Sequence, residues 1–204
     1  KNIKDISGLN IRLSREIEGC SVKLFKYILN EVTEVYNTLI ISPPQCGKTT
    51  IIRDIARVMS DGLCEYGIKG VKVGIVDERS EIAACFKGIP QNNVGVRTDV
   101  IDGCPKALGM LMLIRSMSPQ IIITDEIGNQ GDKDAIINVI NAGVKIITTA
   151  HGYNISQLKS RQEVIELIER KIFERYIVLS NLNGPGTIEE IIDGTTMKNL
   201  FRRL

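Results

Sequence analysis

Apolar residues along this chain fall into short, nearly unbroken runs separated by turn residues and by stretches of helical spacing. The runs over 39–41, 71–76, 121–124 and 144–149 each read as a strand buried on both faces. Between and after them the spacing predicts helices over 48–59, 105–117 and 132–141, with further helical turns over 164–173. Asp61-Gly62 and Gly67 punctuate the connection after the first of these helices, and Pro119 separates the second from its following strand. Pro105 suits a first helical turn and Gly143 a C-terminal cap, while Ser156 or Ser160 is expected to cap the later turns. Strands alternating with helices imply a mainly parallel sheet covered on both sides. The end of the chain differs: 175–180 and 187–192 flank Asn183-Gly184-Pro185-Gly186 and read as an antiparallel hairpin. The beginning differs too. Residues 10–17 alternate like a strand, and Ser21 is placed to cap a short helix through Leu29. Residues 1–35 are therefore expected to be the end of an N-terminal domain whose remainder lies outside this chain, with one α/β domain over 36–204.

Composition narrows the classes. A chain of 204 residues with 43% hydrophobic and 25% charged residues can bury one sizeable core. A net charge of +2 makes no electrostatic case for nucleic acid or anionic lipid. Aromatics at 4%, with no Trp, argue against a base-stacking reader of single strands. Cys20, Cys46, Cys64, Cys85 and Cys104 form no Cys-x-x-Cys, and there is one His, so a zinc site is not expected and reduced thiols in a cytosolic setting are. No apolar run approaches ~18 residues, so any action at a membrane is expected to be peripheral.

The chemistry concentrates after the first strand. Ser42-Pro43-Pro44-Gln45-Cys46-Gly47-Lys48-Thr49-Thr50 lies between an apolar run and a helix, the layout of a phosphate-binding P-loop. Amides at the helix start are expected to cradle phosphate oxygens, Lys48 to reach the β- and γ-phosphates, and the Thr49 hydroxyl to ligate Mg²⁺. Ser42 stands where the full pattern has Gly. Cys46 is read as a backbone position of the loop rather than a nucleophile. The run 121–124 ends in Asp125-Glu126. In a parallel sheet the carboxyl ends of the strands build the ligand site, so Asp125 is expected to hold the metal and Glu126 to orient the attacking water. One strand and helix pair is expected between Lys48 and this strand. Asp77-Glu78-Arg79-Ser80-Glu81 and Thr149-Ala150-His151-Gly152 also follow strands and belong to the same edge. His151, aimed at a γ-phosphate, could report its loss.

Taken together, these segments resemble the stage III sporulation protein AA family, a branch similar to the type II and type IV secretion ATPases among RecA-like P-loop NTPases. The resemblance runs from about Asn10 to the C-terminus. It is also carried by Gly95-Val96-Arg97-Thr98-Asp99-Val100 and Leu113-Ile114-Arg115-Ser116-Met117-Ser118-Pro119. It implies a RecA-like three-layer sandwich that binds and hydrolyses ATP with Mg²⁺. Glu81 matches the acidic-box glutamate, Glu126 the Walker B glutamate and His151 the histidine box, leaving two candidates for the base. The secretion motors usually have Gly where this chain has Asp125. The resemblance further implies a homo-hexameric ring, with an arginine of a neighbouring subunit completing each site. Arg97 is the first candidate, then Arg79 and Arg115. The implied role is the motor of a secretion-like channel complex in endospore formation, cytoplasmic and held to a membrane complex by its partner proteins. Two other readings stand beside it: a nucleic-acid-dependent RecA-like ATPase, and a nucleotide-gated scaffold that does not hydrolyse.

Overall fold

The computed structural model describes residues 7–9, 16–30 and 34–203. Most of the expected strand over 10–17 lies outside the described residues. A single turn of 3-10 helix, Val22–Leu24, runs into the short helix α1, Phe25–Ile28. The main domain then proceeds through β1 (Thr38–Ser42), α2 (Lys48–Asp61), a small hairpin of β2 (Gly62–Leu63) and β3 (Ile68–Lys69), β4 (Val73–Asp77) and β5 (Thr98–Asp102). After these come α3 (Lys106–Ser116), β6 (Ile121–Glu126), α4 (Gln130–Asn141), β7 (Lys145–His151), α5 (Ile155–Leu158) and α6 (Gln162–Glu169). The chain closes with β8 (Arg175–Ser180), β9 (Thr187–Asp193) and β10 (Asn199–Arg202).

Eight strands form one sheet in the order β10-β9-β8-β1-β7-β6-β4-β5. The pairs from β8 to β5 are parallel, and β9 and β10 extend the sheet antiparallel. This is a mixed α/β fold with a mainly parallel sheet and an antiparallel C-terminal edge, as the residue pattern implied. The unbroken apolar runs arise because successive side chains alternate between two cores. Ile40, Ile75, Ile123 and Ile147 face α2 in one cluster. Leu39, Ile41, Ile122 and Ile146 face α3, α4 and α6 in the other. On that second side α3 packs tightly on β4: a Cβ on Gly109 would lie 2.5 Å from a methyl of Val76. Leu24, Phe25 and Ile28 are fully buried in the α2-side cluster, so the described residues before β1 share the main core.

Several local expectations are corrected. Two parallel strands, not one, lie between α2 and β6, because β5 pairs along the outer edge of β4. Its Thr98-Asp99-Val100-Ile101-Asp102 is part polar because one side faces solvent. The connection from β4 to β5 contains no helix. Ser21 makes no side-chain cap: its backbone is helical at φ −90 and ψ −14, and its hydroxyl is turned to Asp54 Oδ2, to which it donates at 2.7 Å. Asn154, not Ser156 or Ser160, caps α5 through its side chain, and no side chain caps α6. Helix α6 stops at Glu169, before Lys171 turns left-handed at φ 52.

Candidate functional site

Strand β1 is buried along its whole length and delivers the chain to the sheet's carboxyl edge at Ser42. There the backbone turns through Gln45 and Gly47, both left-handed at φ 61 and φ 82, and Gly47 is the N-cap residue of α2. Gly47 is required on two counts. Its φ is one that L-residues avoid, and a Cβ there would sit 3.1 Å from the amide nitrogen of Gly186. That amide donates to the Cys46 carbonyl at 2.9 Å, so the β8–β9 turn straps the loop. Cys46 is buried, and its thiol lies 3.5 Å from the Pro44 carbonyl, which fits a structural role. Amides in the first turn of α2 lack intrahelical acceptors and carry the positive end of the helix dipole.

Parallel pairing sets what faces this loop. Ser42 is the register partner of His151 on β7, and Glu126 on β6 that of Thr149. A register shift between Ile123 and Glu126 breaks the ladder where the acids emerge. The Thr148 hydroxyl donates to the Asp125 carbonyl at 2.6 Å and pins that irregularity. As a result Gln45, Gly47, Lys48, Thr49 and Thr50 line one cleft of about 500 Å³ with Glu81, Asp125, Glu126 and His151. Pro44, Cys46, Arg79, Thr149 and Pro185 complete the wall.

A chain of polar contacts crosses the cleft. The Lys48 ammonium lies 2.9 Å from the Ser42 carbonyl, 3.0 Å from the Pro43 carbonyl, 3.1 Å from Ser42 Oγ and 3.0 Å from His151 Nδ1. His151 Nε2 lies 3.1 Å from Glu126 Oε2. Because Lys48 has protons only to give, Nδ1 accepts, which puts the proton of a neutral ring on Nε2, at ion-pair distance from Glu126. Burial pulls the Lys48 ammonium below its ordinary value, against the opposing pull of Glu126 and Cys46. Ser42 thus supplies two of Lys48's contacts, one of which glycine would lack.

Asp125 is mostly enclosed. Lys106 Nζ stands 3.2 Å from its Oδ1 and 3.0 Å from Glu78 Oε2. The Asp125 contact has ion-pair distance without hydrogen-bond alignment, so buried Oδ1 has no hydrogen-bond partner. Burial raises the Asp125 carboxyl above its usual range; Lys106 pulls the other way, and Asp77 and Glu78 add to the rise. Burial would lower the Lys106 ammonium, but Glu78 and Asp125 outweigh it and the net shift is upward. Among the described residues no cluster of three or more His, Cys, Asp or Glu offers a ready-made metal site. A divalent ion here would rely on the hard oxygens of Thr49 and Asp125 together with the ligand's own.

The structure therefore brings the loop residues, Glu81, Asp125, Glu126 and His151 together. Arg97 is elsewhere. It lies at the amino end of β5, where its Nη1 donates to the Ser60 carbonyl at 3.0 Å. Arg115 is exposed in the last turn of α3. Asp77, part of the acidic segment, is fully buried, and its carboxylate accepts the amides of Glu81, Ile82 and Ala83. Sequence reasoning missed Lys106 and also Arg161, whose Nη1 is 3.8 Å from Glu126 Oε1. Neither follows a spacing rule; both reach the acids from other elements.

The profile described as "Sporulation stage III, protein AA" matches residues 1–198. The stage III sporulation protein AA of Bacillus subtilis (strain 168) is 49% identical over 193 residues, covering 95% of this chain and 62% of that protein. The Arabidopsis thaliana protein SEEDLING PLASTID DEVELOPMENT 1 is 29% identical over 155 residues, 75% of this chain and 21% of that one. This chain thus spans less than two thirds of the curated relatives it matches. In structure, the Legionella pneumophila ATPase DotB superposes with a TM-score of 0.59 at 13% identity, over 85% of this chain and 48% of that one. The VirB11 ATPase of the Brucella suis type IV secretion system, in complex with sulphate, gives 0.54 at 17%, over 79% and 49%. The pilus retraction motor PilT with bound ADP gives 0.52 at 15%, over 81% and 48%. These likenesses place the fold with that of the RecA-like secretion ATPases. With its residues 1–198 matched by the family profile, the chain belongs to the sporulation stage III protein AA family.

Proposed function

We propose that this chain is an ATP-binding, Mg²⁺-dependent ATPase domain that works as the motor of a secretion-like channel complex in endospore formation. One observation carries the reading: Lys48 and Thr49 at the start of α2 line the same cleft as Glu81, Asp125, Glu126 and His151. Free amides and the helix dipole suit a polyphosphate, and Lys48 adds the cation that offsets charge on the transferring group. Lys48 has four polar neighbours for three protons, so a γ-phosphate would draw the ammonium away from some of these contacts, the one to His151 among them. Mg²⁺, where bound, supplies Lewis-acid stabilisation to the phosphates. Thr49 and Asp125 would hold it, and Asp125 Oδ1, which has an ion-pair contact with Lys106 but accepts no hydrogen bond, fits that duty.

Glu81 is the base in this scheme. Glu81 lines the cleft, and its carboxylate makes no ion pair or hydrogen bond among the described residues. Glu126 is instead bound to His151, which touches Lys48. Withdrawal of Lys48 toward phosphate removes a donor from His151 Nδ1 and is felt at Glu126, the element of a γ-phosphate sensor. The names of the structural neighbours, two ATPases and a retraction motor, support a motor over a static binder. Among the described residues no helix is long and apolar enough to cross a membrane. From the family resemblance, the reading also includes a homo-hexamer on the cytoplasmic face, held by membrane proteins of the complex. The test is steady-state phosphate release with Mg²⁺ and ATP. Turnover that Lys48→Ala abolishes is expected; release no greater than that of Lys48→Ala refutes hydrolysis.

A further inference from the structure

The connection from β4 to β5 carries Glu81 yet contains no helix to stiffen it. Two buried charges hold it instead. Asp77, fully buried, takes the Glu81 amide at 2.9 Å on Oδ1, and the Ile82 and Ala83 amides at 2.9 and 2.8 Å on Oδ2. Arg53, 3% exposed on α2, gives its Nη2 to the Glu81 carbonyl at 2.7 Å and its Nε to the Ile82 carbonyl. The Asn92 side chain also donates to the Ile82 carbonyl, at 3.0 Å. The gripped stretch is bounded by two non-glycine residues in left-handed conformation, Ser80 at φ 55 and Ala84 at φ 51. Such residues persist only where their surroundings over-determine them.

A guanidinium buried this deeply is costly unless its donors are used, and Arg53 Nη1 has no partner at all. Its other bonds go to main-chain carbonyls of one segment, and among the described residues it forms no ion pair. A packing role alone would be met by an apolar side chain. What the arrangement secures is the backbone of Glu81, a residue of the cleft wall, while its carboxylate takes no part in the clamp. Arg53 lies five positions after Lys48 on the same helix, about 7.5 Å along its axis. The helix whose first turn meets phosphate is therefore tied directly to the backbone of the base.

We propose that Arg53 is a positioning residue for Glu81, with Asp77 as the opposing jaw of the same clamp. This rests on the reading that Glu81 activates water in an ATPase. A small displacement of a reacting group can cost on the order of 100-fold in rate. Arg53→Lys keeps the charge but loses the fork that spans two carbonyls.

The experiment is a cycle of ATPase measurements on wild type, Arg53→Lys, Glu81→Gln and the double variant. Arg53→Lys is expected to lower kcat about 10- to 100-fold with KM for ATP within about twofold. In the Glu81→Gln background it should cause no further loss, because the group it positions is already disabled. An equal loss in both backgrounds, a change in KM alone, or no change overturns the proposal. Amide hydrogen exchange is a readout independent of turnover. In wild type the Glu81, Ile82 and Ala83 amides should exchange at least about tenfold more slowly than those of Lys87 and Gly88. Fast exchange at those three amides overturns the clamp even if Arg53 variants fail to fold. Protected amides in a protein without ATPase turnover would leave the clamp standing and refute the hydrolytic reading instead.

Discussion

Glu81 and Glu126 sit in one cleft with opposite surroundings, and that difference separates their roles. Glu126 pairs with His151 at 3.1 Å and lies near Arg161, whereas the Glu81 carboxylate has no such contact among the described residues. Neutralising a base removes an interaction made only in the transition state, so Glu81→Gln should lower kcat at least about 100-fold with little change in nucleotide affinity. Glu126→Gln keeps an acceptor for His151 and loses only charge, and should cost about tenfold or less. Single-turnover rates of the two variants, beside nucleotide titrations, decide the matter; a greater loss in Glu126→Gln would reverse the assignment. At this scale the chain was readable where a residue acts through its own neighbours. Gly-Lys-Thr at a helix start and Asp-Glu at a strand tip were visible, and they meet as expected. Lys106 against Asp125, and Arg161 against Glu126, were not, because a cation's direction depends on packing between distant elements.

Helix α2 does more than present Lys48. Asp54 on its buried side accepts the Gly19 amide at 2.9 Å, the Ser21 amide at 2.8 Å and hydroxyl at 2.7 Å, and pairs with Arg57 at 2.7 Å. Burial alone would raise the Asp54 carboxyl. The Ser21 and Gly19 donors and Arg57 outweigh it and hold the group below its ordinary value. A carboxyl depressed by folding stabilises the fold above its unfolded value, about 3.9, and that contribution is lost as pH falls through the folded value. Asp54→Asn should therefore destabilise by about 2–4 kcal/mol at pH 7, and its difference from wild type should shrink below about pH 4. Urea unfolding at stepped pH checks this, and a pH-independent difference would contradict it. The same helix depends on Gly47 at its N-cap. Gly47→Ala should cost about 1–2 kcal/mol and loosen the Gly186 strap, seen as a lower melting temperature and weaker nucleotide binding. Elements buried on both faces, such as β1, β6 and β7, were legible as apolar runs. Strands β5 and β10 were not, because edge strands expose polar residues and lose that signature. Ser21 misled for a related reason: tertiary bonds to Asp54 on α2 hold its amide and hydroxyl, and its backbone is helical rather than in the extended form of a capping residue.

At the level of the whole molecule, the position of Arg97 carries the argument for a shared site. It lies at the amino end of β5, whereas the cleft lies at the carboxyl edge of the sheet, so it is not part of the cleft of its own chain. Its neighbour Val96 is among the most exposed large apolar residues of the described chain, at 84%. If Arg97 completes a neighbour's site in the proposed ring, specific ATPase activity should rise with protein concentration and level off once rings are filled. Arg97→Ala should then lower kcat about 10³-fold or more. A mixing experiment isolates the cause. Arg97→Ala retains an intact Glu81, and Glu81→Gln retains an intact Arg97. Combining the two inactive proteins at ring-forming concentration should restore part of the activity, because some interfaces then pair a sound base with a sound arginine. Specific activity that is flat from nanomolar to micromolar protein, with no recovery on mixing, would confine catalysis to the single subunit and remove Arg97 from the site.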